Sequence, residues 1–146
     1  MLRIAALAAL LLAAAAPAAQ AQNREIYHEF EGEKEFGYAQ AVRTGTTLYI
    51  SGTVSPGATM NDQVEGVYRR LRATLDRFGA SPADIVKETV YTRDVDAFAA
   101  ANAIRLRFLA GHTPAATWVQ IQRLLMPDAL VEVEMVVDLS RARPAS

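Results

Sequence analysis

Two glutamates, Glu132 and Glu134, stand two residues apart in the stretch ALVEVEMVVDL near the C-terminal end of a 146-residue chain. In an extended strand they share one face, opposite Val131, Val133, Met135 and Val137. Carboxylates on one wall can move a proton or orient a water, while exposed glutamates are also ordinary features of a solvated strand. Other reactive groups are sparse. There are no cysteines and only two histidines, His28 and His112. Neither histidine has a partner at ligand spacing, so no zinc centre is expected. Ser51, His112 and Asp94 supply the residue types of a hydrolytic triad, but their spacing gives that arrangement no support, and triads are defined by geometry.

The elements that must position these groups can be read in order. Met1-Leu2-Arg3, the apolar run from Ile4 to Ala16 and the small-x-small ending Ala19-Gln20-Ala21 have the layout of a secretory signal peptide. Residues 1–21 are therefore expected to be removed on export, which predicts a periplasmic protein with a single domain over residues 22–146. Removing them leaves fourteen basic and sixteen acidic residues, a formal charge of −2. That balance does not suit a general nucleic-acid binder, and no membrane association is expected after cleavage. The basic run Arg69, Arg70 and Arg72 reads as the solvated face of a helix.

Within residues 22–146, Ile26 to Phe30 is a candidate strand. Tyr38 to Val42 and Thr46 to Ser51 flank Arg43-Thr44-Gly45 as a hairpin. Val64, Val67, Tyr68, Leu71, Leu75 and Phe78 recur at helical spacing, with Asn61 or Asp62 as cap and Gly79 as terminator. Ile85 to Thr92 reads as a strand. A second helix is predicted from Val95 to Leu109, capped by Asp94, closed near Gly111 and blocked by Pro114. Ala115 to Gln122 and Leu130 to Leu139 complete six strands. The pattern predicts an α+β domain with one mixed sheet and two helices on one face. On strand 115–122 the expectation is that Thr117, Val119 and Ile121 face the helices, leaving Ala116, Trp118, Gln120 and Gln122 on the uncovered side. Trp118 beside Tyr49 and Val136 would make that side apolar enough to need covering by self-association.

The segments GYAQAVRTGTTLYISGTVSP, DIVKETVYTRDVDAFAAANAIRLRFLAGHTPA and ALVEVEMVVDL resemble, in order and spacing, the RidA/YjgF family of reactive-intermediate deaminases. The resemblance runs from about Tyr38 to Leu139. It implies a chorismate-mutase-like fold, a homotrimer, and three ligand clefts at subunit boundaries. It also implies cofactor-free hydrolysis of short-lived enamines and imines to 2-keto acids and ammonia. An arginine would hold the substrate carboxylate, and a glutamate would orient water. Carried over by position, the cleft residues are Tyr38, Ser51, Asn102 and Glu132, with Glu132 as the water-positioning group.

The family's arginine falls in a Pro-Ala-Arg-Ser stretch, which here reads Pro114-Ala115-Ala116-Thr117. A charge-assisted hydrogen bond contributes about 1.5–3 kcal/mol, so losing the arginine fork weakens carboxylate binding by on the order of ten- to a hundred-fold or more. Arg123 lies too far along the strand to replace it, and Arg105 and Arg107 are accounted for by an exposed helix face. With Ala116, Trp118 and Gln120 as cleft wall, the expected ligand is a neutral or cationic small molecule. Three function classes follow: a small-molecule binder without arginine-dependent deaminase activity, which is the principal expectation; an imine deaminase with changed substrate preference; and a non-catalytic structural or interaction protein.

Overall fold

The computed structural model describes residues 24–141, so the expected leader lies outside the described residues. Helix α2 (Met60–Arg77) is the main packing element of the domain. Val64, Val67, Tyr68, Leu71 and Leu75 bury one stripe of it, as the helical period requires. Its cap is Thr59, rather than Asn61 or Asp62. The Thr59 hydroxyl accepts from the Asp62 N–H at 3.2 Å, and the Asp62 carboxylate accepts from the Thr59 N–H at 3.0 Å. This capping box satisfies two otherwise orphaned donors, and its Thr-x-x-Asp spacing was legible in the sequence. At the other end Gly79, with φ +66°, turns the chain back. The N–H groups of Gly79 and Ala80 donate to the carbonyls of Asp76 and Leu75, as in a Schellman closure.

Six strands form one sheet: β1 (Arg24–Tyr27), β2 (Ala41–Thr44), β3 (Thr47–Thr53), β4 (Ile85–Thr92), β5 (Ala115–Gln120) and β6 (Val131–Asp138). Their spatial order is β1-β2-β3-β6-β4-β5, and only the β4–β5 pair is parallel. The hairpin pairing runs from Ala41–Ile50 to Thr44–Thr47, so β2 starts at Ala41, not at Tyr38, and Arg43 and Thr44 belong to the strand rather than to the expected turn. The predicted ladder of β6 is present: Val131, Val133, Met135 and Val137 are buried beneath α2, while Glu132, Glu134 and Val136 lie on the other face.

The second predicted helix is two, α3 (Val95–Ala100) and α4 (Asn102–Leu109), with Asp94 capping the first as expected. The chain tightens at Ala101 (φ −82°, ψ 0°), and Phe98, Arg105 and Leu109 are all buried. A uniform helical period cannot show such a step. A further short helix, α1 (Glu31–Glu35), has no apolar period to reveal it. It is held instead by the buried Glu33 carboxylate, which accepts from the N–H groups of Glu29 and Gln40, both at 3.0 Å.

The facing of β5 is opposite to the expectation. Trp118 lies edge-on against buried Phe98 of α3, ring centroids 4.9 Å apart, and Gln120 Oε1 accepts from the Val95 N–H at the start of that helix. Ala116, Trp118 and Gln120 therefore lie on the helix-covered side, paired in register with the buried Glu88, Val90 and Thr92. Thr117 and Val119 lie on the open side, where Thr117 accepts a 2.6 Å hydrogen bond from Lys87. The period of two fixed which residues share a face, but the indole's affinity for the core decided which face it was. The open side is still apolar in part, because it carries Tyr49, Tyr91, Val119 and Val136 among its polar residues.

Candidate functional site

The residues predicted to form one cleft fall into two groups within the chain. Tyr38, Ser51 and Glu132 belong to the first, at the β3–β6 region of the sheet. Between Ile50 and Thr53 the pairing of β3 with β6 slips out of register, and Ser51 and Gly52 occupy that irregularity. Gly52 is required there. A Cβ at that position would sit 1.8 Å from Glu132 Oε1 and 2.7 Å from its Cδ, so the absent side chain is the space the carboxylate occupies. Ser51 donates from its hydroxyl to the Ala39 carbonyl at 2.6 Å, a bond that fixes the chain path beside Glu132.

Burial, and to a lesser extent the nearby Glu134 charge, pushes the Glu132 carboxyl above its ordinary range. Tyr91, which stands opposite Glu132 in the β4–β6 register, donates to Glu134 at 3.2 Å. Desolvation and those two carboxylates raise the Tyr91 phenol.

A cavity of about 900 Å³ opens beside this group. Tyr38, Gln40, Gly52, Leu130, Arg70 and Arg93 are among the residues lining it. Its size suits a small-molecule ligand. Sequence reasoning missed Gly52, Arg70 and Arg93 as wall residues. Arg70 does not lie on a solvated face with Arg69 and Arg72: it pairs with Glu29 at 2.6 Å, donates to the Val54 carbonyl and stacks over Phe30 at 5.1 Å. Ser51 lines a smaller recess, of about 250 Å³, with Tyr49, Lys87, Thr89 and Glu134 on the open side of the sheet.

The second group is Asn102, Ala116, Trp118 and Gln120, on the opposite side of the sheet at its β5 edge. Ala116 is exposed, next to a buried ion pair. Arg105 binds Glu88 through two nitrogens, each at 2.6 Å, and the Tyr68 hydroxyl donates to the same carboxylate at 2.7 Å. Arg105 also lies 5.4 Å from the Trp118 ring centre. It is thus buried and committed, not exposed on its helix. Arg107 pairs with Glu65 at the surface, and Arg123 donates to the Leu124 carbonyl. Two polar atoms of this group, Asn102 Oδ1 and Trp118 Nε1, are buried without a hydrogen-bond partner among the described residues. One accepts and the other donates, so this edge has unused hydrogen-bonding capacity.

Known proteins share this arrangement of elements. A family model described as Endoribonuclease L-PSP matches residues 32–139. The 2-iminobutanoate/2-iminopropanoate deaminase of Dermatophagoides farinae is 31% identical over 108 residues, covering 68% of this chain and 84% of its own. A RutC family protein of Pyrococcus abyssi is 29% identical over 122 residues, covering 77% and 95% respectively. Among solved structures, a YjgF/YER057c/UK114-family protein from Mycobacterium tuberculosis superposes with a TM-score of 0.75 at 26% identity, covering 80% of this chain and 99% of that one. The mixed six-stranded sheet backed by helices, and a match that spans most of the described residues, place this chain in the RidA/YjgF family.

Proposed function

We propose that this protein is an exported, cofactor-free hydrolase of small imines or enamines, releasing ammonia, with substrate recognition altered by the alanine at position 116. The observation that carries this reading is the Glu132 carboxylate, half-buried, with raised proton affinity, and seated in the space left by Gly52, which itself lines the cavity. A carboxylate whose proton affinity is moved towards neutrality can take a proton from an attacking water and return it to a leaving nitrogen. Relatives named as 2-iminobutanoate/2-iminopropanoate deaminases support the reaction class.

The active assembly in this proposal is a homotrimer. Within one chain the Glu132 group and the Asn102–Trp118 group lie on opposite sides of the sheet. A neighbouring copy that brings its β5 edge over the cavity of the first would unite them, and would cover Tyr49, Val119 and Val136. Export rests on residues 1–21 and predicts a periplasmic location.

A second reading has its own support. Asn102 Oδ1 and Trp118 Nε1, which have no hydrogen-bond partner among the described residues, would serve an uncharged group that reached them. On that reading the cleft binds a neutral or cationic molecule without turnover.

The deciding experiment uses the protein from Gln22 onward, with its mass in solution measured by light scattering and ammonia release followed from imines generated by an amino-acid oxidase. The hydrolase reading expects a trimer, turnover that Glu132→Ala abolishes without loss of fold, and faster turnover of 2-imino acids in Ala116→Arg. A folded trimer that releases no ammonia from any imine, yet binds amines or neutral rings, would establish the second reading in its place.

A further inference from the structure

One wall of the cavity is a strap, residues 28–38, which runs from the end of β1 through α1 to the approach to β2. Phe30 and Tyr38 of the strap line the cavity, as does Gln40 just beyond it. The strap has little apolar anchorage of its own, because Phe30, Phe36 and Tyr38 are 55%, 75% and 46% exposed. Two carboxylates fasten it instead. Glu29 pairs with Arg70 of α2 at 2.6 Å, and the buried Glu33 accepts from the Glu29 and Gln40 N–H groups through a single oxygen, Oε2. Gln40 carries the fastening into the sheet. Its side chain donates to the Thr53 hydroxyl at 2.9 Å, and its carbonyl accepts from the Ser51 N–H at 2.9 Å.

His28 stands at that same carboxylate oxygen. Its Nδ1 is 3.6 Å from Glu33 Oε2 and is buried with no hydrogen-bond partner among the described residues. That separation is longer than a hydrogen bond. A neutral imidazole therefore turns towards Glu33 either a lone pair, which a carboxylate repels, or an N–H too distant to bond. The imidazolium carries a proton on both nitrogens and a full charge, so the same contact becomes an ion pair with a donor facing its acceptor. The other charges around the ring are mostly engaged elsewhere. On α1, Glu31 binds Lys34, and Glu35 is exposed near the helix end. On α2, Arg70 is held by Glu29, and Arg77 lies over the ring of Tyr27. Arg43 of β2 pairs with Glu25 further along the sheet. Glu33 has no ion-pair partner except His28 among the described residues.

We propose that His28 and Glu33 form a pH-sensitive fastener of this strap: protonation of His28 holds residues 28–38 against the cavity, and loss of the proton frees them to open. The inference does not rest on the hydrolase reading, because it concerns access to the cavity whatever is bound or turned over there. Its sign follows from the pair. The fastener gains its charge where histidine ordinarily titrates, at about pH 6.5. Fastening is complete below that range and is lost as pH rises through it. A window from about pH 5.5 to about pH 7.5 spans the change and stays above the ordinary carboxylate range. A hydrogen bond to a charged partner is worth about ten-fold or more in such an equilibrium. Closing the strap also draws Phe30, Tyr38 and Gln40 into fixed places on the cavity wall, so the cavity is best formed on the acidic side.

The test is amide hydrogen exchange across residues 28–40 of the full assembly, with each rate divided by that of an unfolded chain at the same pH. The reporters are the Glu29 and Gln40 amides, whose N–H groups donate to Glu33. Their protection should rise about ten-fold from about pH 7.5 to about pH 5.5 in the unmodified protein. His28→Gln should abolish the rise. Glu33→Gln should abolish it too, while its amide oxygen still accepts from both N–H groups and keeps the strap closed. Near-ultraviolet circular dichroism from Trp118, on the far side of the sheet, certifies the fold of each variant. Should Glu33→Gln fail to fold, His28→Gln decides alone. The variants also separate this fastener from titration of His112, which lies against the Ile85 carbonyl, and of Glu132. Protection that does not change with pH in the unmodified protein overturns the proposal. So does a rise that survives in His28→Gln, or one lost there but retained in Glu33→Gln. Ammonia release is not read in any arm, so the hydrolase reading stands or falls separately.

Discussion

Replacing Arg105 by methionine should cost more stability than any other single change in the site region. Glu88 is fully buried, and Arg105 is 8% exposed. The substitution keeps an unbranched stem of similar length but removes both 2.6 Å contacts to Glu88, leaving the Tyr68 hydroxyl as the donor to that carboxylate. It also removes the guanidinium beside the Trp118 ring. Breaking a buried pair by deleting one partner costs about 3–5 kcal/mol, because the surviving charge stays desolvated. In a domain of this size that corresponds to a fall in Tm on the order of 10–20 °C. Urea unfolding followed by the fluorescence of Trp118, the chain's single tryptophan, reads both the stability and the local environment. The double variant Glu88→Gln with Arg105→Met should be markedly more stable than the single one, since it leaves no stranded charge. A loss below about 1 kcal/mol in Arg105→Met, or costs that simply add in the double variant, would refute the argument and return Arg105 to the pool of available cations.

Gly52→Ala should leave the fold largely intact while slowing turnover. The Glu132 oxygen 1.8 Å from the new Cβ must retreat to about the 3.4 Å of ordinary contact, some 1.6 Å, and it belongs to a flexible side chain that can swing away. A displacement of that size costs about a hundred-fold in rate, measured as ammonia release. Activity within a few-fold of the unmodified protein would disconnect Glu132 from the reaction. Glu132→Gln should raise Tm at pH 7, with the gain vanishing below the carboxyl's ordinary value of 4.5. Because the folded carboxyl holds its proton in a window where the unfolded chain has lost it, native stability falls as pH rises through that window. The same titration makes turnover rise with pH as Glu132 becomes ionised, which a pH profile of kcat will show.

Much of the scaffold was legible in the sequence because it rests on local rules. The helix of residues 60–77 follows from the 3.6-residue recurrence of Val64, Val67, Leu71 and Leu75, and β4 and β6 follow from branched residues and a period of two. The candidate site was less legible. Glu132 and Ser51 were found through family position, and Glu132 also through its strand parity. Gly52 and Arg93 were not found, because their significance lies in what the neighbouring strand places against them. The signal for Arg93 was nonetheless available: extending the β4 alternation by one residue past Thr92 puts it on the face of Tyr91.

The sequence by itself determined the order of elements, the side-chain sets that share each face, and the alanine at position 116. Each depends on residues close together in the chain. The tertiary structure decided which side of the sheet received Trp118, where the second helix breaks, and which arginines are already spent. Alternation is symmetric between the two sides of a strand, so only packing against Phe98 distinguishes them. Likewise Arg105 meets Glu88 across seventeen residues and Arg70 meets Glu29 across forty-one. No local pattern encodes such pairings.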